Sequence, residues 1–206
     1  MALSLHPKQI VLFLTAVSPL LLAFFLVIAS LFNQDVKGLV YLGGVLLGSI
    51  IWFMAAKMSG QPTDEDITNS ADSCNILDLP YGLGTYTNPN YSSYFIAFTM
   101  AYLVLPMYFN DQINWGIFIF LLILFFADAY SNVVKRCTSS IGTFFGAIIG
   151  LLTGTMWFTV FHSTGNDSLL YFQELLSNRV FCKRPKKQTF KCSVYKNGEL
   201  VSSEIM

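Results

Sequence analysis

Long apolar runs separated by short polar segments dominate the pattern of this chain. Each run lasts about 20 residues, the length an α-helix needs to cross roughly 30 Å of hydrocarbon. The pattern predicts five membrane-spanning helices, over residues 10–32, 38–58, 92–109, 115–134 and 141–161. Because five is an odd number, we expect the two ends of the chain on opposite faces of the membrane. Residues 1–161 are thus predicted to form a transmembrane helical domain.

Two polar segments are predicted to lie outside the membrane. The loop over residues 59–91 is acidic and rich in the Pro, Gly and Asn residues that favour turns. The tail over residues 162–206 begins with a predicted amphipathic surface helix that places Leu169, Phe172, Leu176 and Val180 on one face. A basic run follows, and then alternating residues around an Asn-Gly pair predict a small β-hairpin. The tail residues predicted to contact a partner or the membrane surface are Arg179, Lys183, Arg184, Lys186, Lys187, Asn197 and Gly198.

Composition supports the membrane assignment. Hydrophobic residues make up 54% of the chain and charged residues only 12%, and the mean hydropathy is +0.55. A soluble domain carries about 25% charged residues. We therefore expect an all-α polytopic protein with the lipid bilayer as its first partner. The net charge is zero, so a nucleic-acid partner is not expected.

The orientation of the chain stays open at this level. Basic residues favour the cytoplasmic face, but both predicted faces carry them. Two Asn-x-Ser glycosylation triplets, at Asn90 and Asn166, fall on opposite predicted faces. The face with the acidic loop has Lys8, Lys57, Lys135 and Arg136, and the opposite face has Lys37 and the basic tail.

Glycine recurs at every fourth position of the last predicted span. Residues that are four apart lie on nearly one face of a helix, and small residues there let two helices approach closely in lipid. The stripe therefore predicts a packing groove, formed by Gly142, Gly146, Gly150 and Gly154. Its occupant is either another helix of the same chain, with Gly44 and Gly48 of the second span as the suggested contact, or a second copy or another membrane protein.

Reactive side chains are few. The two histidines, His6 and His162, fall on opposite predicted faces, and the four cysteines show no CxxC spacing. We therefore expect no catalytic residue, no cofactor and no metal site. Cys182 and Cys192 are compatible with a disulfide or with free thiols. Cys137, beside two basic residues, is either a free thiol or an acylation site.

Asp128 is the one ionisable residue predicted inside the membrane zone. Such a residue suggests a function by default, here in a small transporter or channel. The polar residues that follow it, Tyr130, Ser131 and Asn132, favour the alternative that it marks the interfacial end of a helix. No internal repeat of the kind common in transporters is present.

Part of the helical region loosely resembles the type 2 phosphatidic acid phosphatases, a family of polytopic lipid phosphatases. The segment "YSSYFIAF" is similar to the family's Pro-Ser-Gly/Ser-His motif, and Arg136 precedes a helix as in its Arg-His-Asp motif. Here Tyr94 stands in place of the first histidine, and Gly142 and Gly146 stand in place of the second histidine and the aspartate. The Lys-Arg-Pro element is missing as well. Without a nucleophilic imidazole the chemistry cannot run, so the resemblance implies at most an inactive relative.

The end of the tail resembles another group. The segment "KKQTFKCSVYKNGELVSSEIM" is similar to the C-terminal ends of small polytopic membrane proteins of large nucleocytoplasmic DNA viruses, such as those that infect algae. This resemblance covers about 20 of the 206 residues. It implies a minor capsid protein in a virion's internal membrane, or in a host membrane during assembly, with capsid or other membrane proteins as partners. The residues and the resemblance together predict an anchor for a protein shell.

Overall fold

Five helices account for most of the structure. The computed structural model describes residues 7–59, 74, 88–110, 113–166, 169–171, 191–196 and 199–205. The helices lie within one or a few residues of their predicted bounds. They are α1 (Pro7–Phe32), α2 (Lys37–Met58), α3 (Tyr91–Phe109), α4 (Trp115–Val134) and α5 (Ser140–Ser163).

Four of these helices, α2 to α5, are long and apolar enough to cross a membrane. The prediction of a helical membrane protein is confirmed to that extent. In the part of α1 whose side chains the structure describes, the apolar helical stretch is Val17–Phe32. The fifth span therefore stays a prediction.

Side-chain caps define where the later helices begin. The Asn90 side-chain oxygen accepts hydrogen bonds from the amides of Ser92 at 2.7 Å and Ser93 at 3.3 Å. Asn114 caps α4 in the same way, and Ser139 accepts from the Gly142 amide at 2.9 Å to cap α5. Each cap satisfies amides at a helix start that have no partner within the helix.

α3 is the central helix of the bundle. Within its most apolar stretch 67% of the residues are buried, against 17% to 28% for α2, α4 and α5. Its longest contact is with α5, while α1 packs against α2 and α4. The outer faces of the surrounding helices expose large apolar side chains, which suits contact with lipid. On α4 these include Phe120, Ile123 and Phe126.

The segment after α5 differs from its prediction. Residues 169–171 are not α-helical, and Leu170 and Tyr171 are buried in the bundle rather than lying on a membrane surface. The Tyr171 hydroxyl donates a hydrogen bond to the Leu26 carbonyl of α1. The predicted amphipathic helix was therefore wrong at its start, because a tyrosine that can reach a backbone acceptor is stable inside the bundle. The rest of that helix, including Phe172, Leu176 and Val180, lies outside the described residues.

The chain divides into two compact units, Met1–Leu175 and Leu176–Met206. In the second unit, β1 (Lys191–Lys196) pairs antiparallel with β2 (Glu199–Ile205), and Lys196 stands opposite Glu199. The predicted turn residues Asn197 and Gly198 lie outside the described residues. So do the basic residues Arg179, Lys183, Arg184, Lys186 and Lys187.

Candidate functional site

The glycine stripe of α5 forms a groove that holds the backbone of α3. A Cβ on Gly146 would overlap the carbonyl oxygen of Asn90, and one on Gly150 would overlap that of Tyr94. One turn further, a Cβ on Gly154 would come within 2.7 Å of the Phe98 oxygen. The glycines and the carbonyls they face both advance by four residues. The two helices therefore stay in register over three turns, and any larger residue would push them apart.

The helix in this groove is not the one that the sequence suggested. Gly44 and Gly48 of α2 do not face the glycines of α5 but accommodate bulky side chains. The Trp157 indole of α5 fills the space over Gly44, and the Tyr94 hydroxyl fills the space over Gly48. Trp157 and Tyr94 also donate hydrogen bonds to α2 carbonyls, at Val40 and Val45, both at 3.1 Å. The partner helix is α3, whose carbonyls at Asn90, Tyr94 and Phe98 lie against the α5 stripe.

The first glycine of the stripe belongs to a polar joint. The Gly142 carbonyl accepts a hydrogen bond from the backbone amide of Asn90 at 2.9 Å. The side-chain oxygen of Asn88 accepts from the hydroxyls of Ser139 at 2.9 Å and Thr138 at 3.2 Å. The start of α3 is thereby tied to the segment that leads into α5.

Aromatic side chains fill the interior beside this groove. The Tyr41 hydroxyl hydrogen-bonds to the Thr99 hydroxyl at 2.7 Å, and Trp52 donates to the Pro89 carbonyl at 3.1 Å. Rings pack edge to face or tilted around Tyr41, at centroid separations of 5.6 Å to Tyr102 and 6.1 Å to Phe98. Buried tyrosines with satisfied hydroxyls hold neighbouring helices together in two ways: the rings bury apolar area, and the hydroxyls form directional hydrogen bonds. The sequence offered one signal for this core, namely the repeated tyrosines of the third span.

A disulfide corrects the expectation for Cys137. This residue is neither a free thiol nor an acylation site in the structure, because it is bonded to Cys74 of the acidic loop. The sequence did not predict this pair, because the two cysteines are 63 positions apart and no spacing rule links them. Cys182 lies outside the described residues, and of the Cys192 side chain the structure says nothing, so their proposed pairing stays a prediction.

Asp128 lies inside the bundle rather than at an exposed helix end. Asp128 is 1% exposed, and its Oδ2 accepts a hydrogen bond from the side-chain amide of Asn132 at 2.9 Å. Its Oδ1 has no hydrogen-bond partner within the described part of the chain. The hydroxyls of Ser92, Ser93 and Ser131 are buried and without a hydrogen-bond partner there as well. These atoms belong to the last turns of α4 and the first turn of α3.

Lys135 carries a positive charge that acts on Asp128. It directly follows α4, and the two charges attract each other. Burial lowers the pKa of the Lys135 ammonium, whereas the Asp128 carboxylate opposes that effect. Among the described residues, no group of three or more His, Cys, Asp or Glu side chains could hold a metal ion. His6 lies outside the described residues, and His162 stacks on Phe158 at the end of α5.

The positions matched to the phosphatase motifs do come together. Gly142 and Gly146 of α5 lie against Asn88 and Asn90, directly before the helix that carries Tyr94. The space that two catalytic side chains would need on α5 is occupied by the Asn88 side chain and the Asn90 backbone. The geometry of this joint provides contact between the two helices.

Three comparisons with known proteins returned nothing. No protein-family model, no curated protein and no solved structure matches this chain.

Proposed function

We propose that this protein is a structural membrane anchor, which fixes a protein shell to a bilayer through its basic tail. The observation that carries the proposal is the backbone contact between α3 and α5 along Gly146, Gly150 and Gly154. The groove leaves little room for sliding, because a shift of either helix would bring the larger residues between the glycines of α5 against the backbone of α3. A rigid bundle suits a protein that must stay fixed in the lipid.

The core supports the same proposal. A conduit or carrier needs polar groups along a path and elements that can rearrange. In this bundle, Tyr41, Tyr94 and Trp157 instead join α2 to α3 and α5 through hydrogen bonds and ring contacts. These contacts favour one fixed arrangement of the helices over two alternating ones.

The tail is the element proposed to bind the shell. Between residues 179 and 196 it carries seven Lys or Arg residues and no Asp or Glu. Such a segment is attracted to acidic surfaces, and the attraction weakens as salt is added. Together with the resemblance of the last 20 or so residues to viral membrane proteins, this charge supports a minor capsid protein with an acidic shell protein as partner.

Cross-linking in intact particles tests the proposal. Purified virus particles are treated with an amine-reactive cross-linker and then digested for mass spectrometry. We expect the chain to be present, with Lys183, Lys186 or Lys187 linked to a shell protein. Absence of the chain from particles that are complete by protein content would refute the proposed role.

A charge-reversal variant shows whether the basic run makes the attachment. Replacing Lys183, Arg184, Lys186 and Lys187 by Glu should leave membrane insertion intact and abolish recovery of the shell protein with the membrane fraction. A matched control replaces the three lysines by Arg, which keeps the charge, and should bind as the wild type does. Equal recovery from the Glu and Arg variants contradicts a charge-driven attachment.

Transport is the second candidate function, and one observation favours it. Asp128 is a buried carboxyl group whose Oδ1 has no hydrogen-bond partner among the described residues, and such groups line many ion and proton pathways. The protein in liposomes with an imposed pH or sodium gradient would then show a flux that Asp128→Asn removes. An anchor shows no flux in either form.

A further inference from the structure

We infer that the disulfide end of the bundle faces an oxidising compartment and that the chain after α5 faces the cytosol. On the function proposed above, the partner of the tail is then a cytosolic protein with an acidic surface. The sidedness itself rests on the helices and the disulfide, and not on that function.

The disulfide lies at one end of the bundle. Cys137 is in the short connection between α4 and α5, and Cys74 is in the segment between α2 and α3. The hydrogen bonds from Ser139 and Thr138 to Asn88 hold the same two segments together. Two independent sets of contacts therefore place both segments on one face, which we call the disulfide face.

Disulfides persist in oxidising compartments and are rare in the cytosol, where thiols are kept reduced. For a protein inserted at the endoplasmic reticulum, the disulfide face is therefore the lumenal face. Each helix that crosses the membrane reverses the side of the chain. The α1–α2 and α3–α4 connections and the end of α5 at Ser163 accordingly lie on the cytosolic face.

This assignment agrees with one part of the charge pattern and disagrees with another. Positive residues favour the cytosolic side, but near the helix ends both faces carry some of them. With the disulfide face outside, the basic run at 179–196 lies inside, as the rule expects, whereas Lys57, Lys135 and Arg136 at the helix ends lie outside. The acidic residues of the loop 59–91 lie outside, where they have little influence on orientation.

The two glycosylation triplets are affected in different ways. Asn90 is on the lumenal side, but it is 5% exposed and its side chain caps α3, so it is not available to the transferase. Asn166 is exposed, but it follows α5 on the cytosolic side, away from that enzyme. We therefore expect a chain with two acceptor triplets and no glycan.

One substitution supplies a lumenal reporter. Asn69 and Ser70 in the acidic loop are followed by Ala71, so Ala71→Thr completes an acceptor triplet. Ala71→Val has nearly the same shape and does not complete it, which makes it the matched control. The full-length chain is translated with sealed microsomes from the endoplasmic reticulum, and trypsin is then added outside.

The inference predicts one endoglycosidase-sensitive glycan on Ala71→Thr and none on Ala71→Val or the wild type. It also predicts that trypsin releases tail peptides from sealed microsomes without detergent. A tail that is protected until detergent is added overturns the inference. A glycan on the wild type that Asn166→Gln removes also overturns it. So does a released tail together with an unmodified Ala71→Thr loop, since the chain would then cross the membrane an even number of times between the loop and the tail. These readouts do not depend on whether the tail binds a shell protein, which the cross-linking experiment decides separately.

Discussion

Gly150 of α5 lies directly against the backbone carbonyl of Tyr94 in α3, so closely that a Cβ at position 150 would overlap that oxygen. The obstacle is backbone rather than a flexible side chain, so the neighbour cannot turn away. The contact explains why a residue with poor helix propensity recurs in a membrane helix. In lipid the backbone keeps its helical hydrogen bonds, and close packing is the gain.

Replacing Gly150 by Ala should therefore destabilise the bundle by about 1–3 kcal/mol, the usual range for overpacking a tight contact. Gly43→Ala is the matched control, since a Cβ there would lie 3.7 Å from Trp157, at ordinary contact distance. Unfolding of the purified protein in mixed detergent micelles, titrated with a denaturing detergent, measures both variants.

The same pair of variants distinguishes the two occupants considered for the groove. If α3 of the same chain fills it, Gly150→Ala lowers stability without changing the particle size measured by light scattering. A change from dimer to monomer at unchanged stability would instead assign the groove to a second copy.

Asn90 should matter more than the other asparagine cap. Asn90→Ala removes the acceptor of a partly buried amide at Ser92 and a buried amide at Ser93, and disturbs the backbone that rests on Gly146. The expected cost is about 1–2 kcal/mol, at the upper end for a helix cap. Asn114→Ala removes an equivalent but more exposed cap of α4, and it should cost about half as much or less. Equal losses in the same unfolding assay would show that burial of the cap has no influence.

The positions of the helices could be predicted from the sequence because lipid imposes one simple rule. Any segment that crosses must satisfy its backbone internally and present apolar side chains, so length and hydropathy suffice. The bounds at Trp115–Val134 follow from that rule together with the Asn114 cap and the two basic residues after Val134. Which helix meets which does not follow, because packing in lipid depends on shape. The Trp157 side chain occupies the space over Gly44 because the two shapes match, and no periodicity in the sequence encodes that match.

The hydroxyl of Tyr41 is expected to contribute to stability, and that of Tyr130 is not. Tyr41→Phe loses the hydrogen bond to Thr99 in a fully buried site, at a cost of about 0.6–1.5 kcal/mol. Thr99 keeps its bond to the Phe95 carbonyl, so no buried donor is left unpaired. Tyr130→Phe changes a side chain that is 71% exposed on the outer face and should have no measurable effect. A larger loss from Tyr130→Phe would mean that this outer face is covered by a partner.

Cys74→Ser should break the link between the acidic loop and the α4–α5 connection. Removing a cross-link over a long segment costs about 2–4 kcal/mol, mainly because the unfolded chain gains freedom. The direct readout is one newly reactive thiol at Cys137 when the unreduced protein is treated with a maleimide reagent.

Cys182→Ser serves as the comparison for the tail. If the tail cysteines are free, this variant loses one reactive thiol and keeps the stability of the wild type. If it gains a thiol instead, the tail contains the second disulfide that the sequence left open. An unreduced wild-type protein in which all four cysteines react would contradict the Cys74–Cys137 bond.

Asp128 is the residue for which the anchor and transport proposals differ most. A buried carboxylate is costly in a low-dielectric bundle unless it is paired; Asp128 has a hydrogen-bond donor on one oxygen within the described residues and the attraction of the Lys135 charge. Asp128→Asn keeps the shape and removes the charge. If the residue is only structural, the variant should be as stable as the wild type or up to about 1 kcal/mol more stable, with normal insertion. Ser131→Ala, which removes a buried hydroxyl without a hydrogen-bond partner on the same helix, should likewise cost little. In a transporter that needs the charge of Asp128, Asp128→Asn would abolish a proton or sodium flux in liposomes, while Ser131→Ala would leave it intact. That result would contradict the anchor proposal and support the transport proposal.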